Sequence, residues 1–368
     1  MGSSSLFISA GDPSGDNATA RLVESLRTIR PDLKLTGLGG PRLRALGQQQ
    51  LAEPSDLAVL GFWEVVKRYG YFRDLMHRAV ATIEAEKPSA LLLVDYPGFN
   101  LRLAKRVRKF GIPIIYYISP QVWAWGHKRI AEIRELVDRM IVILPFEQDF
   151  YRMHDINAQF VGHYLLDDIP AEYISSPIPH KNQIALLPGS RPQEIERMLG
   201  PMLAAADQFN REYGTSATIA AVRGAFDYES AVAKYAANNI KIEYDTARRV
   251  IFDADMVVTA SGTATLETGI IGRPMVIVYK TGGITYQIAK RLIKIDKIGL
   301  VNLVLGEKVV PELIQDEVSP TGIVGAMRMI WTDQDLYEKI RSRLMGLPSL
   351  LHGQGASDRA AALVSRYL

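Results

Sequence analysis

Short, near-continuous apolar runs recur along the chain, with amphipathic stretches between them. In the first half they are Ser5–Ala10, Ala90–Asp95, Ile112–Ile118 and Met140–Leu144. In the second half they are Gln183–Pro188, Ala217–Val222, Ile240–Tyr244, Met256–Ala260 and Pro274–Tyr279. A strand apolar on both sides must be covered on both faces, so these runs read as parallel strands and the segments between them as crossover helices. The class is α/β. Between Asp168 and Asn182 the pattern lapses, and Pro170, Pro177 and Pro179 deny that stretch both helix and sheet ladder. Each half also begins with a strand, a glycine-containing turn and a helix. We therefore expect two Rossmann-like doubly wound domains facing across a cleft. Residues 1–170 form the first and 171–182 a linker; 183–345 form the second and 346–368 a C-terminal helical segment.

A chain of 368 residues is long enough for two separate cores. It has no cysteine, which excludes disulfides, zinc–thiolate sites and thiol catalysis and suits a cytoplasmic protein. The net charge of +3, from 43 Lys and Arg against 40 Asp and Glu, is too small and dispersed to suggest nucleic-acid binding. No apolar run approaches the ~20 residues that cross a bilayer. The opening Met1-Gly2-Ser3-Ser4-Ser5-Leu6 has Leu6 where a myristoylation signal wants Ser or Thr, so lipidation is rejected.

Four strand-end segments carry the chemistry. Asp12, Ser14, Gly15 and Asp16 follow the first run and open a helix, where backbone amides and the helix dipole attract anions. The plainer reading is a turn with Ser14 or Asp16 as cap. Gly189, Ser190 and Arg191 precede Pro192, giving exposed amides and a planar guanidinium fork suited to a pyrophosphate. Ser261, Gly262, Thr263 and Ala264 make a second amide-rich helix start, with Glu267 one turn on, able to accept hydroxyl bonds from a ribose. Asp95 ends the most apolar strand of the first half, at the ligand edge of an open sheet; partial burial there would raise its proton affinity towards that of a general base. Helix capping is the competing role for Asp95.

Asp253-Ala254-Asp255 has the spacing of a metal-binding DxD, but it precedes its strand rather than following one, and a loop or cap explains it. His127, His154 and His163 show no ligand spacing. We expect no metal and no cofactor. In Val59–Met76, apolar residues including Phe62, Trp63, Val66, Tyr69 and Phe72 recur at helical spacing beside Lys67, Arg68, Arg73 and Arg78. That pattern fits an interfacial helix on anionic lipid, or else a core helix; Gly70 interrupts it.

These segments, in this order, resemble the lipid-A-disaccharide synthase family, which has the two-domain glycosyltransferase B fold. The resemblance rests on residues 10–16, Asp95–Asn100, Ser119-Pro120-Gln121-Val122-Trp123-Ala124-Trp125, Leu144–Glu147, Val161-Gly162-His163, Leu187–Arg191 and Ser261–Ala264. It implies an inverting, metal-independent transfer from UDP-2,3-diacylglucosamine to 2,3-diacylglucosamine 1-phosphate, with release of UDP. It also implies a peripheral location on the cytoplasmic face of the inner membrane, and a homodimer. By the same resemblance Asp95 matches the candidate base, Arg191 an essential arginine, and Glu267 and Asn302 positions lining the UDP-sugar site. Ser119, Trp123, Glu147 and His163 join the expected substrate contacts. The family usually has Glu where Asp12 stands and a second Asp where Gly98 stands. Another UDP-sugar enzyme of this fold, such as a UDP-N-acetylglucosamine 2-epimerase or a peptidoglycan glycosyltransferase, is the alternative within enzymes. A non-catalytic lipid or nucleotide-sugar binding protein is the alternative outside them. A dehydrogenase is disfavoured because neither half carries GxGxxG.

Overall fold

The computed structural model describes residues 4–52, 69–124, 126, 129–235, 239–282 and 297–368. Two compact units are present. One comprises the chain up to Asp167 together with Leu351–Leu368, the other Asp168–Leu350.

The first unit holds a parallel sheet of β1 (Ser5–Ala10), β2 (Lys34–Leu38), β3 (Gln49–Gln50), β4 (Ala90–Val94), β5 (Ile114–Tyr117), β6 (Arg139–Val142) and β7 (Ala158–Phe160). Its spatial order is β3-β2-β1-β4-β5-β6-β7. The chain leaves β1 in one direction and returns to its other side at β4, so the strand order reverses between these two neighbours. All five residues of β4 are fully buried. Leu91, Leu92 and Leu93 point to alternating faces and each stabilises the unit by roughly 1.5–3 kcal/mol. Helices cover both faces, which is why the strand reads as an unbroken apolar run.

The second unit repeats the plan with β8 (Gln183–Leu187), β9 (Ser216–Ala221), β10 (Ile240–Tyr244), β11 (Met256–Ala260), β12 (Met275–Tyr279) and β13 (Glu312–Ile314). The order β10-β9-β8-β11-β12-β13 reverses between β8 and β11. All nine apolar runs named above are strands, their ends within two residues of expectation. The strands not expected are β2, β3, β7 and β13, which are short or polar: Gln49–Gln50 joins the sheet only through its backbone pairing with β2.

The proline-interrupted stretch is anchored to the second unit. Tyr173 stacks on Phe252 at 4.1 Å, and Ser175 N–H donates to the Ile270 carbonyl. The buried Arg273 guanidinium donates to the Ser176 carbonyl and hydroxyl and to the Phe252 carbonyl at 2.7–3.0 Å.

The chain end returns to the first unit, where helix Ala356–Val364 packs on helix Pro13–Ile29. Its start is fixed by Asp167, which accepts from Gly355 N, Ala356 N, Ser357 N and the Ser357 hydroxyl. Arg359 in turn donates to the Val161 carbonyl at 2.7 Å.

Phe62, Trp63 and Val66 lie outside the described residues. Tyr69 begins helix Tyr69–Glu86, along which Phe72 is half-buried against the core while Leu75, Met76, Ala79 and Ile83 are buried in it. The described end of the apolar stripe therefore faces inward. Among the described residues no helix is long and apolar enough to cross a membrane.

Candidate active site

In an open α/β sheet ligands gather beyond the carboxyl ends of the strands where the order reverses. Both reversals are flanked by the segments singled out above. In the first unit Ala10 pairs with Val94, so the loop after β1 and the loop after β4 leave the sheet side by side. Asp12 caps helix Pro13–Ile29, accepting from Gly15 N at 3.0 Å and from the Ser14 hydroxyl at 2.5 Å. A Cβ on Gly15 would lie 2.6 Å from that carboxylate, so the tight cap needs glycine there. Asp16 is buried and accepts from Gly40 N, Arg42 N and Leu43 N, which fixes the start of the next helix. Its carboxylate is committed to the scaffold.

Asp95 and Tyr96 both have left-handed backbones, at φ 43° and 47°. Such a conformation costs about 1–3 kcal/mol per non-glycine residue, and it persists only where the surroundings over-determine it. Two buried groups do so here. The Asn100 amide donates to the Ser9, Val94 and Asp95 carbonyls at 2.7–3.2 Å and accepts from the Ser9 hydroxyl at 2.6 Å. The Tyr116 hydroxyl, from β5, donates to the Asp95 carbonyl at 2.6 Å. The turn thus lifts the Asp95 side chain at the strand end without exposing it fully. Burial, reinforced by the neighbouring Asp12 carboxylate, raises the Asp95 carboxyl to about 6. Sequence reading named Asn100 only as part of a motif and passed over Tyr116. A tyrosine inside an apolar run looks like core until its hydroxyl has a partner.

The next strand ends add a second buried carboxylate. Ile118, just past β5, is a β-branched residue at φ 59°, and it delivers Ser119 towards the Leu144–Glu147 turn after β6. Glu147 accepts from the Ser119 hydroxyl at 2.7 Å, Trp123 Nε1 at 3.1 Å and Leu144 N at 3.0 Å. Burial raises it to about 7 against those three donors. Trp123 also meets Phe146 edge to face at 4.9 Å. Ser119, Trp123 and Glu147 are therefore brought together, with the carboxylate acting on the loop. His163 is buried; its Nδ1 accepts from Leu165 N, and desolvation lowers the imidazole to about 3. It is a neutral turn-former and brings no charge to a phosphate. Trp125 and His127 lie outside the described residues.

In the second unit Leu187 pairs with Thr259, and the loops after β8 and β11 leave the sheet together. Gly189 takes φ +115° and Gly262 φ +149°, conformations only glycine adopts without strain, so each turn bares its amides. Arg191 occupies the cap position of helix Pro192–Tyr213; its side chain is 61% exposed and meets Glu194 at 3.5 Å. Ser190 and Thr263 are exposed, and Ala264 lies in the first turn of helix Thr263–Ile271. The Ser261 hydroxyl donates to the Ile298 carbonyl.

Two expected contacts are tied into the second unit. Glu267 accepts from Arg248 Nε at 2.9 Å, and Arg248 also donates to the Asp168 carbonyl; burial nevertheless raises the Glu267 carboxyl. Asn302 is fully buried and saturated, donating to the Val310 carbonyl and Glu312 and accepting from Val309 N and Val310 N. It shapes the wall rather than offering a free amide. The pairing of Arg248 with Glu267 was not visible in sequence because nothing in either segment points to the other.

The DxD residues are likewise engaged. Asp253 is held by Lys181 at 2.8 Å and by Arg249, and Asp255 accepts from Lys181 N and Gln183 N at the start of β8. Each of the four carboxylate oxygens thus accepts from a cation or a backbone amide.

The match to known proteins agrees with this arrangement. The family model described as lipid-A-disaccharide synthetase matches residues 6–360. The lipid-A-disaccharide synthase of Myxococcus xanthus is 36% identical, covering 99% of this chain and 97% of its own length. That of Geobacter sulfurreducens is 37% identical over the same shares. Among solved structures, S. aureus MnaA in complex with UDP superposes with a TM-score of 0.65 at 12% identity, covering 100% of this chain and 97% of that one; the likeness shows the fold. By its family match over nearly its whole length, and by these relatives, the chain belongs to the lipid-A-disaccharide synthase family.

Proposed function

We propose that the protein joins UDP-2,3-diacylglucosamine to 2,3-diacylglucosamine 1-phosphate, giving the disaccharide 1-phosphate and UDP with inversion at the anomeric carbon. The observation that carries the chemistry is Asp95: a carboxylate on a strained turn at a strand-order reversal, its proton affinity raised to about 6. A base of that affinity is ionised at neutral pH yet accepts a proton readily, as removal of the acceptor hydroxyl's proton requires. The resulting oxygen attacks the anomeric carbon as the bond to UDP breaks. Charge develops on the departing diphosphate, and Arg191 with the bared amides after Gly189 and Gly262 would take it up. With Arg191 as electrophile the step proceeds without a divalent ion. Ser14, Gly15, Ser119, Trp123 and Glu147 would shape the acceptor side, and Ser190, Ser261, Thr263, Ala264 and Glu267 the donor side.

Both substrates carry acyl chains, so the enzyme would work as a peripheral protein at the cytoplasmic face of the inner membrane, with Phe62, Trp63, Val66 and Tyr69 as its lipid contacts. A homodimer fits the same reading. Mass spectrometry of products from the two purified substrates tests it. The disaccharide 1-phosphate with equimolar UDP is expected; an epimerised UDP-sugar with no transfer would overturn it.

A further inference from the structure

We infer that Tyr116 and Asn100 are positioning residues for catalysis: together they hold the Asp95–Tyr96 turn in its left-handed conformation and so set the aim of the Asp95 carboxylate. The inference rests on Asp95 being the base.

Both side chains donate to the Asp95 carbonyl rather than to its carboxylate. Tyr116 reaches across from β5 to donate to the Asp95 carbonyl, and the Asn100 amide reaches back from its helix to donate to that same carbonyl. One carbonyl oxygen therefore accepts two buried side-chain donors from two different elements. A third tie comes from the backbone, where Asp95 N–H donates to the Tyr117 carbonyl at 3.2 Å. Asn100 extends the clamp to β1 through the Ser9 hydroxyl and carbonyl, which fixes the Asp95 turn relative to the neighbouring Asp12 loop.

Left-handed backbone at two successive non-glycine residues relaxes when its restraints are removed. A relaxed turn swings the carboxylate towards solvent, and its proton affinity then falls back towards that of an ordinary carboxyl. The groups facing Asp95 are Asp12 after β1, Tyr96 beside it and Tyr116 from β5, with Arg129 acting on Tyr116. Of these Tyr116 is the one whose hydroxyl donates to the Asp95 carbonyl, and it can be altered by one atom without changing a charge or a cap.

The test is Tyr116→Phe, which removes the hydroxyl and keeps the ring, made alone and on an Asp95→Asn background. The single variant is expected to lose about 10- to 100-fold in kcat while the KM for the UDP-sugar stays within about twofold, and the acidic limb of its pH–rate profile should move to lower pH. On the Asp95→Asn background the same substitution should change kcat by less than about twofold, because the group it positions is gone. Asn100→Leu, which removes the donors at similar size without adding a charge, should reproduce the single-variant behaviour. Parental kcat and pH profile in Tyr116→Phe, beside an impaired Asp95→Asn, would overturn the positioning role alone. An equal loss on both backgrounds, or a loss with an unmoved acidic limb, would also overturn it, since that is the mark of a general packing defect. Full turnover in Asp95→Asn removes the base assignment and the positioning role with it.

Discussion

Asp95 destabilises the fold it sits in, and the sign of that effect can be measured. Its carboxyl binds a proton more tightly in the folded protein, at about 6, than in an unfolded chain, near 3.9. The native state therefore gains least where the group is ionised: stability falls as pH rises through the window from about 4 to about 6, then levels off. Asp95→Asn removes that dependence, and asparagine tolerates a left-handed backbone well. The variant should match the parent most nearly at pH 4 and exceed it above pH 6 by on the order of 2–3 kcal/mol in urea unfolding. Its turnover should fall by ~10²- to 10⁴-fold. A stability difference that is the same at pH 4 and pH 7.5 would count against the raised proton affinity. Arg191 is the opposite case, exposed and paired at long range with Glu194. Arg191→Ala should lose ~10²- to 10³-fold in kcat, with a melting curve within about 0.5 kcal/mol of the parent. Arg191→Lys should recover little, because an ammonium lacks the planar fork. EDTA should leave the rate unchanged; a loss restored by a divalent ion would falsify Arg191 as the group that takes up the leaving-group charge.

Elements that end in a fixed turn present these side chains, and the caps that fix them were partly readable. Gly189 and Gly262 stand in sequence where a strand gives way to a helix, and the structure makes its turns there; at the first turn the cap is Asp12 rather than Ser14 or Asp16. Asp16 and Asn302 look equally like site residues in sequence. Their partners, the amides at 40–43 and 309–310, are remote or come from another element, so only the folded chain reveals that they are committed. The same limit hid Asp167, whose partners lie 188–190 residues away. It caps helix Ala356–Val364 through three amides and a hydroxyl. Asp167→Ala should therefore cost about 2 kcal/mol, more than a single ordinary cap, and should speed proteolysis within residues 351–368. Unchanged denaturation and cleavage would show that helix packing alone holds the chain end.

For the molecule as a whole, membrane engagement is the property to test, and the variant should be chosen with the core in view. Phe72 packs on the first unit's core, so only Phe62, Trp63 and Val66 should be replaced by Ser. Sedimentation with anionic vesicles should weaken at least tenfold while circular dichroism holds; parental binding would remove the stripe as a lipid contact. The alternation of apolar runs with amphipathic stretches determined the α/β class and its central strands, because burial on both faces leaves a local, unbroken signature. Residue type and strand-end position likewise singled out Asp95, Arg191 and the two glycine turns, which lie at strand ends beside the two order reversals. Strand order, the short strands β2, β3, β7 and β13, the return of the chain end to the first unit and the pairing of Glu267 with Arg248 were decided only by tertiary structure. So was the clamp of Asn100 and Tyr116 on Asp95. Each depends on partners separated in the chain, and a hydrogen bond or edge pairing between distant residues leaves no periodicity in either segment.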